Sequence, residues 1–446
     1  MPSRNRVDRR SAKADNRARN STPMPPIEEI EQELHDVLTP AAFAPLRMVA
    51  GDFILRDRKL TLPVMTAVVL SMVLRRSPSL GELLRLLEAE GLLWVSSLSV
   101  SQTALEKRFK VLPPQLFAGL LEDVLSHYQQ PEQRQQRHAS LGQWQQQIDS
   151  CFSAVWTADN STLEMLRRTT KALKASENPT QRLGGMIFTI VESFTGTPVR
   201  VDYRSDINTD ELAFAETLLA QLPEGGLVCF DEGFFQFKFF DLFTDQGKFF
   251  LTRMRKQVRY TVVETLAETE LYRDEIIECG FYRSSPIRHR LRLVSVCWQG
   301  QWYQYLSNVL DPARLPAPLL SRLYRLRWRI ETAFAQVKRL LDMAHLWSGS
   351  GNAVEMQVYA TWIIYAVIAH LCCGVAARLA CSIEQISFEM VFRSLYHYSR
   401  ARAAGRADDI ISYMVDNARM LSIVKKERNR DRLKRDLELD IWGTPP

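Results

Sequence analysis

Four polar residues, Tyr324, Arg327, Glu331 and Lys338, lie in one segment, SRLYRLRWRIETAFAQVKRLLDM, whose apolar residues follow helical periodicity. On a helix that advances about 100° per residue, these side chains fall within a sector roughly 60° wide, at the edge of the apolar stripe. A carboxylate, two cations and a phenol in a third sector predict a site that binds a polyanion beside a metal ion. The alternative is an amphipathic helix whose charges form i,i+4 pairs, such as Arg327 with Glu331.

Two aspartates follow predicted strands. CFSAVWTAD predicts a strand that ends at Asp159, and GLVCFDEG predicts a short buried strand that ends at Asp231. If these strands are parallel neighbours, their carboxyl ends lie side by side at one edge of the sheet, where the later helix can add the carboxylate of Glu331. Three such anions repel one another strongly unless a cation is present. Oxygen ligands favour Mg²⁺ or Mn²⁺, and two such ions about 3.5–4 Å apart support phosphodiester displacement.

The surrounding pattern predicts a mixed α/β fold. From residue 151 to 255 the predicted order is strand, strand, strand, helix, strand, helix, strand, in which FFQFKFFDLF is the second helix and GKFFLTRMR the last strand. Segments with alternating polarity between residues 256 and 310 predict an inserted β-rich module, which Pro312, Pro316 and Pro318 close. The helix with Glu331 follows this insertion.

The start of the chain predicts short helices. Ser79 and Ser101 are suitable N-caps, and the helix after Ser101 is basic, a pattern typical of a helix-turn-helix DNA reader and of small helical bundles alike. We expect these regions: a flexible basic arm (1–26), a helical DNA-binding region (27–149), the core in two parts (150–255 and 316–380), a β-rich insertion (256–315), and a helical C-terminal region (381–446) for dimerisation or DNA contact.

Length and composition fit a soluble protein with two or three domains. The 446 residues are 46% hydrophobic, and the net charge of +6 is concentrated near both ends. Basic clusters on a nearly neutral body indicate contact with a phosphate backbone, although solubilising tails would look the same. The seven cysteines have no zinc-like spacing, which favours reduced thiols in a cytoplasm. The sequence has no phosphate-loop pattern, so we expect no nucleotide cofactor.

One apolar stretch, YATWIIYAVIAHLCCGVAARLA, is long enough to cross a bilayer. His370 lies at its centre and Arg378 near its end, so we predict a buried core helix and no membrane partner. The polar, arginine-rich start of the chain lacks the apolar run of a secretory signal. Both observations favour a cytoplasmic protein.

These motifs together resemble a known family. The Y-R-E-K spacing, DEGF at 231–234 and DNSTLE at 159–164 are similar to those of DDE transposases of the bacterial insertion-sequence family four, over about residues 95–380. The resemblance implies an RNase H-like core, a mixed five-stranded sheet with helices, interrupted by a β-rich insertion. It implies Asp159, Asp231 and Glu331 as catalytic metal ligands. It also implies Tyr324, Arg327 and Lys338 as contacts to DNA phosphates.

Family members often hold a flipped base on an aromatic residue of the insertion. Trp298 and Trp302 are candidates for this stacking, although either ring could simply pack within a strand. Asn160 departs from the family pattern, where a small residue is common after the first aspartate. We expect Arg327 to contact phosphate and to leave neutralisation of Glu331 to the metal ions.

The sequence therefore predicts a bacterial, metal-dependent transposase that cleaves and transfers DNA strands at terminal inverted repeats. Its expected partners are double-stranded DNA, both transposon ends and target, and a second copy of the chain in the synaptic complex. Two alternatives remain open: another RNase H-like nuclease such as a junction resolvase, and a domesticated, non-catalytic DNA-binding regulator.

Overall fold

The computed structural model describes residues 30, 31, 34, 59–77, 79–163, 185–206, 211–280, 287–341, 343 and 350–426. The predicted arm at residues 1–26 and most of the C-terminal basic cluster lie outside these ranges.

Helices lie before, between and after the strands. Before the sheet come α1 (Leu62–Leu74), α2 (Leu80–Ala89), α3 (Gln102–Val111), α4 (Gln115–Tyr128), α5 (Pro131–Ala139) and α6 (Gln143–Asp149). Within and after it come α7 (Ala215–Gln221), α8 (Phe237–Asp245), α9 (Ala317–Arg325), α10 (Trp328–Ala335), α11 (Gly351–Arg378), α12 (Phe388–Ala403) and α13 (Ile410–Asp416).

The strands form one mixed sheet in the order β3-β2-β1-β4-β5-β9-β8-β7-β6. They are β1 (Val155–Thr162), β2 (Met186–Glu192), β3 (Pro198–Arg204), β4 (Leu227–Cys229), β5 (Phe249–Arg253), β6 (Tyr260–Glu268), β7 (Tyr272–Cys279), β8 (Leu291–Trp298) and β9 (Gln301–Ser307). β1, β4 and β5 are parallel neighbours, whereas the remaining pairs are antiparallel.

The sheet is larger than the five strands expected. The region predicted as a β-rich insertion does form strands β6–β9, but β9 pairs with β5 and continues the same sheet. The register Leu251↔Ser307 and Arg253↔Tyr305 joins the two parts through backbone hydrogen bonds. Alternating polarity predicts strands but not their partners, so the sequence did not reveal this continuity.

The prediction that the first strand ends at Asp159 is wrong. β1 continues to Thr162 because its antiparallel pairing with β2 runs from Trp156↔Glu192 to Thr162↔Met186. Its pairing with β4 stops earlier, at Thr157↔Cys229. The apolar residues of this segment end close to the last residue that pairs with β4, so the sequence predicted a strand that is too short.

The helix expected to carry all four Y-R-E-K residues is divided. α9 ends at Arg325, α10 begins at Trp328, and a π-helical turn (Gln336–Leu340) follows α10. Backbone bonds between residues three apart, such as Arg327 N–H to the Tyr324 carbonyl at 3.0 Å, tighten the junction. A turn of about three residues changes the azimuth per residue, so the single 60° sector does not describe this segment. Because the junction contains neither proline nor glycine, the sequence carried no sign of it.

Apolar residues of the central strands pack on both faces of the sheet. In β2, Ile187 and Val191 join a cluster with the helical regions, whereas Phe188 and Ile190 join a phenylalanine-rich cluster with α7 and α8. The alternation of side chains along a strand explains this division. The central strands are therefore held rigidly between two helical layers.

The apolar segment predicted as a core helix is α11. It is long and apolar enough to cross a membrane, but 89% of its most apolar window is buried inside the protein. It packs against α1, α4 and the π-helical turn that follows α10. Ser350 caps its start by accepting a hydrogen bond from Ala353 N–H. The prediction of a buried core helix is confirmed.

Two helices of the N-terminal region begin at the serine N-caps that the sequence predicted. Ser79 and Ser101 accept hydrogen bonds from Glu82 N–H and Ala104 N–H. Residues 90–101 separate α2 from α3, whereas only residues 112–114 separate α3 from α4. Of these two connections, the one between α3 and α4 is short enough for a tight helix-turn-helix, and DNA reading by this region stays a prediction.

Candidate active site

The register of β1 and β4 places the two predicted aspartates opposite each other. The pairs Val155↔Leu227 and Thr157↔Cys229 are parallel, and two further residues along each strand lead to Asp159 and Asp231. Asp159 lies in β1 just past the last β4 pair, and Asp231 lies just past the end of β4. Both carboxylates therefore stand at the edge where the carboxyl ends of parallel strands meet.

Asp231 is held by the backbone that follows it. Its Oδ1 accepts the N–H of Gly233 at 2.8 Å and so caps the short 3₁₀ turn Glu232–Phe234. Its carbonyl oxygen accepts the hydroxyl of Thr252 at 3.2 Å, which ties it to the neighbouring strand β5. The carboxylate is thus oriented by local turn geometry and by the sheet.

Arg327 joins the other two carboxylates. Its Nη1 donates to Asp159 Oδ2 at 2.8 Å, and its Nη2 donates to Glu331 Oε1 at 3.1 Å. The link to Glu331 is the i,i+4 pair that the sequence offered as an alternative, and the link to Asp159 crosses from the helix to the sheet. The structure thus brings Asp159, Arg327 and Glu331 into direct contact.

Burial dominates the electrostatics of this cluster. Loss of solvent raises the pKa of Asp159 to about 7, against the opposing effects of the Arg327 charge and of the hydrogen bond from Asn160 N–H. Asp231 and Glu331 add further upward shifts to this pKa, so both lie within electrostatic range of Asp159. The positive charge of Arg327 therefore offsets only part of the free-energy cost of holding Asp159 ionised in a buried position near Asp231 and Glu331.

Arg327 itself is incompletely bonded. It is buried, and its Nε has no hydrogen-bond partner among the described residues. A buried unsatisfied donor costs about 1–3 kcal/mol, so this arrangement retains an unmet interaction. Unmet interactions of this kind are concentrated at functional sites.

The three carboxylates are suitable ligands for a hard divalent cation, but in this structure they do not surround one metal position. Three carboxylates supply the oxygen ligands that Mg²⁺ and Mn²⁺ prefer. Arg327, however, stands between Asp159 and Glu331. Within the described part of the chain, no three or more His, Cys, Asp or Glu side chains are arranged to hold a metal ion. A metal bound between these two carboxylates would require the guanidinium to move.

Tyr324 and Lys338 flank the cluster from different elements. Tyr324, in α9, is buried against the ring of Tyr305 at 5.1 Å, and burial raises the pKa of its phenol. Lys338, in the π-helical turn, donates to Ser161 Oγ at 2.6 Å and to the Thr162 carbonyl at 2.8 Å. Both side chains are engaged within the protein, so contact with DNA would require them to gain or exchange partners.

The two candidate tryptophans lie at one hairpin of the sheet. Trp298 ends β8 opposite Gln301, and the guanidinium of Arg325 lies over its ring at 5.9 Å. Trp302, the second residue of β9, is 43% exposed, and the guanidinium of Arg273 lies 5.3 Å from its ring centre. Trp298 is thereby the tryptophan linked to the segment that carries Arg327.

Sequence reasoning did not single out three residues at this edge. Trp328, next to Arg327, is 61% exposed, and the Arg327 guanidinium lies 5.1 Å from its ring centre. Arg253 and Arg255 follow β5, where Arg253 forms an ion pair with Glu232 and Arg255 donates to the Glu232 carbonyl. The signal for the arginines was their position after the parallel neighbour of β4. The signal for Trp328 was an aromatic ring on the polar side of the helix.

His370, at the centre of the apolar core helix, lies in the helical body. It stacks on Tyr128 at 4.6 Å.

Comparison with known proteins now adds to this geometry. Residues 157–367 match the family model described as the transposase DDE domain, a range that contains Asp159, Asp231 and Glu331. This range is similar to a transposase DDE domain, and a relative from insertion sequence element IS4 shares the similarity. The matched range contains the two strands and the Glu331 helix.

Curated relatives extend the same likeness at low identity. The transposase InsG for insertion sequence element IS4 of Escherichia coli (strain K12) is 23% identical over 245 residues, 51% of this chain and 53% of the relative. The protein y4zB of Sinorhizobium fredii (strain NBRC 101917 / NGR234), which bears a provisional transposase name, is 26% identical over 183 residues, 39% of this chain and 49% of the relative. The chain spans about half the length of these relatives.

A solved structure is similar over most of the chain but only loosely. The piggyBac transposase synaptic complex with hairpin DNA matches with a TM-score of 0.40 and 12% identity, covering 92% of this chain and 89% of that one.

Proposed function

We propose that this chain is a DNA transposase that binds the terminal inverted repeats of an insertion sequence and catalyses strand cleavage and strand transfer. The observation that carries the proposal is the placement of Asp159 and Asp231 at one sheet edge, with Glu331 joined to Asp159 through Arg327, inside the range that matches the DDE domain. The names of the relatives in bacteria support the same activity. A bacterial cytoplasm, with the protein on the nucleoid when bound to DNA, is the location that fits it.

We infer that strands β1–β5 form an RNase H-like core. Their order β3-β2-β1-β4-β5, with β2 antiparallel and β1, β4 and β5 parallel, supports this fold. β6–β9 (residues 260–307) would then be the insertion within 256–315 that precedes the Glu331 helix. The regions 27–149 and 381–446 are proposed to add DNA binding and dimer contacts.

We propose that Asp159, Asp231 and Glu331 hold Mg²⁺ or Mn²⁺, two ions per active site. When bound, such ions lower the pKa of an attacking water or 3′-hydroxyl and stabilise the leaving oxygen. The protein's own part is to place three carboxylates at the ends of rigid elements and to exclude bulk water by burial of Asp159. Divalent ions are general among proteins with this domain.

Tyr324, Arg327, Lys338 and Trp298 are proposed to contact the transposon end. A guanidinium binds phosphate through two parallel hydrogen bonds, and an ammonium supplies a point charge. Trp298 would stack on an unpaired base, which is worth roughly 1–3 kcal/mol. The location of all four around one edge of the sheet supports a single DNA path across the site.

The partners proposed are double-stranded DNA, both transposon ends and target, and a second copy of the chain. Synapsis of two ends requires at least two DNA-binding surfaces, and a symmetric dimer is the simplest way to supply them.

A cleavage assay tests this function. The purified chain is incubated with Mg²⁺ and a labelled duplex carrying the inverted repeat that flanks its gene, beside Asp231→Asn and the exposed control Asp311→Asn. Asparagine keeps the oxygen that accepts Gly233 N–H but removes the charge, so we expect Asp231→Asn to abolish cleavage and Asp311→Asn to leave it intact. Equal cleavage by Asp231→Asn would overturn the catalytic assignment.

The same assay separates the alternatives. Cutting of branched junctions without preference for the repeat would favour a junction resolvase. Specific binding of the repeat without cleavage by the parent chain would favour a regulator.

A further inference from the structure

The position between Asp159 and Glu331 is already taken by a cation that belongs to the chain. We propose that Arg327 occupies this position while DNA is absent and so blocks divalent metal, and that a DNA phosphate draws it away. Binding of the transposon end would therefore open the metal site. This inference rests on the proposed function, because it assigns a metal to these carboxylates and a phosphate to Arg327.

The hydrogen bonds make metal and guanidinium compete. Arg327 uses one nitrogen for Asp159 Oδ2 and another for Glu331 Oε1, at 2.8 and 3.1 Å. A divalent cation held by Asp159 and Glu331 would lie close to this guanidinium, and the two positive charges would repel each other in a partly buried site. The affinity for one cation therefore lowers the affinity for the other.

The contacts of Arg327 are strong enough to close the site but easily exchanged. The Glu331 side chain is 42% exposed, so one of the two bonds lies near solvent. Arg327 lies at the junction of α9 and α10, where it is the N-cap residue of α10. The exposed ring of Trp328 lies beside the guanidinium, so the Arg327 side chain has only a short distance to move to reach solvent.

A backbone phosphate offers Arg327 a better partner. Two parallel N–H···O bonds to one phosphate match the guanidinium fork, whereas here its two bonds go to different carboxylates. The unsatisfied Nε could also take part in such a fork. Once Arg327 turns to phosphate, three uncompensated carboxylates favour the binding of a divalent cation. The order would be DNA first and metal second, which prevents hydrolysis away from a transposon end.

The direct test measures Mn²⁺ binding without DNA, by the loss of the free Mn²⁺ signal in electron paramagnetic resonance. We compare the parent chain with Arg327→Ala and with Arg325→Ala, which removes the same charge from a residue that lies over Trp298. Arg327→Ala is expected to bind Mn²⁺ about 5- to 150-fold more tightly than the parent, the usual range of coupling between sites. Arg325→Ala is expected to stay close to the parent, because Arg327 is the residue that donates to both Asp159 and Glu331.

Equal Mn²⁺ affinity of Arg327→Ala and the parent would overturn the inference. Adding Asp159→Asn to Arg327→Ala should remove the gained affinity; retention of the gain would place the Mn²⁺ elsewhere and would also overturn it. Neither result depends on DNA cleavage, so the proposed function can stand when this inference fails.

A second test needs no variant and therefore no assumption about folding. The parent chain is titrated with Mn²⁺ in the presence of a saturating inverted-repeat duplex, with binding verified by mobility shift. The Mn²⁺ affinity should rise towards that of DNA-free Arg327→Ala. An affinity unchanged by bound duplex would rule out the opening of the site by DNA.

Discussion

Arg292 and Arg327 each bury a guanidinium beside an aspartate, but they differ in how fully it is bonded. Arg292 is 0% exposed and holds both oxygens of Asp274 at 2.7 and 2.6 Å, and it also donates to the carbonyls of Leu315 and Val309. Arg327 divides its two bonds between Asp159 and Glu331 and leaves Nε without a described partner. The first pair is complete and enclosed, whereas the second is incomplete and close to the surface.

The difference indicates two purposes for similar chemistry. Arg292 joins β7 and β8 to the segment that leads into α9. Arg327 compensates the charge of two carboxylates, but its hydrogen bonding is incomplete, so we infer that a stronger hydrogen-bond acceptor can replace them. A buried ion pair is therefore structural when all of its donors are satisfied, and exchangeable when they are not.

The largest effect should come from breaking the complete pair. Arg292→Ala would leave the buried Asp274 carboxylate and two carbonyls without their donor, and removal of one partner of a buried pair costs about 3–5 kcal/mol. Urea denaturation should show this loss in the free energy of unfolding. The double variant Arg292→Met with Asp274→Leu should recover much of it, and a single variant as stable as the parent would refute the structural role.

A buried titratable group away from both arginines should give the next effect. Burial, with Arg137 and His127 nearby, lowers the pKa of His370 to about 4, from an ordinary value near 6.5. Between pH 6.5 and 4 the unfolded chain binds a proton that the folded chain does not, so stability should fall as pH falls, by about 2 kcal/mol. His370→Phe keeps the stack on Tyr128 and should flatten this part of the stability profile.

Measurement of the melting temperature at steps from pH 7 to pH 4 checks this expectation. If the parent and His370→Phe lose stability in parallel, the pH dependence does not arise from His370.

The incomplete pair should cost less to break. Arg327→Ala leaves Asp159, whose raised pKa lets it take up a proton, and Glu331, which is partly solvated, so we expect a loss of about 1–2 kcal/mol. Urea denaturation beside Arg292→Ala gives the comparison directly. A loss for Arg327→Ala equal to that for Arg292→Ala would remove the distinction between the two arginines.

The smallest effect should come from an arginine of the insertion that is paired at the surface. Arg273 contacts Glu268 at 2.9 Å and lies over Trp302, and both partners are exposed. Exposed pairs of these kinds are worth about 1 kcal/mol or less, so Arg273→Ala should shift the unfolding midpoint only slightly. A loss comparable to that of Arg292→Ala would show that exposure does not separate these two arginines.

Much of the fold was accessible from local patterns. The strand at GLVCFDEG, the helix at FFQFKFFDLF, the caps Ser79 and Ser101 and the core helix α11 were all predicted, because each depends on neighbouring residues. Long-range pairing was not accessible. The extension of β1 past Asp159 and the union of β5 with β9 depend on partners distant in sequence.

The candidate site divides in the same way. The residue types and their spacing identified Asp159, Asp231 and Glu331, since carboxylates after buried strands and on a helix edge are a local signal. We expected Arg327 to contact a DNA phosphate, but in the structure it binds the carboxylates of Asp159 and Glu331. The sequence did not reveal this pairing, because it depends on where the α9–α10 junction places the guanidinium.

The sequence by itself determined which side chains could perform phosphodiester chemistry and in what order along the chain they occur. It did so because apolar periodicity and residue type act over a few neighbours. Only the tertiary structure decided that the helix is interrupted, that β1–β5 and β6–β9 belong to one nine-stranded sheet, and that Arg327 stands between Asp159 and Glu331. These features depend on competition among distant partners for the same hydrogen bonds, and such competition is resolved only when the chain has folded.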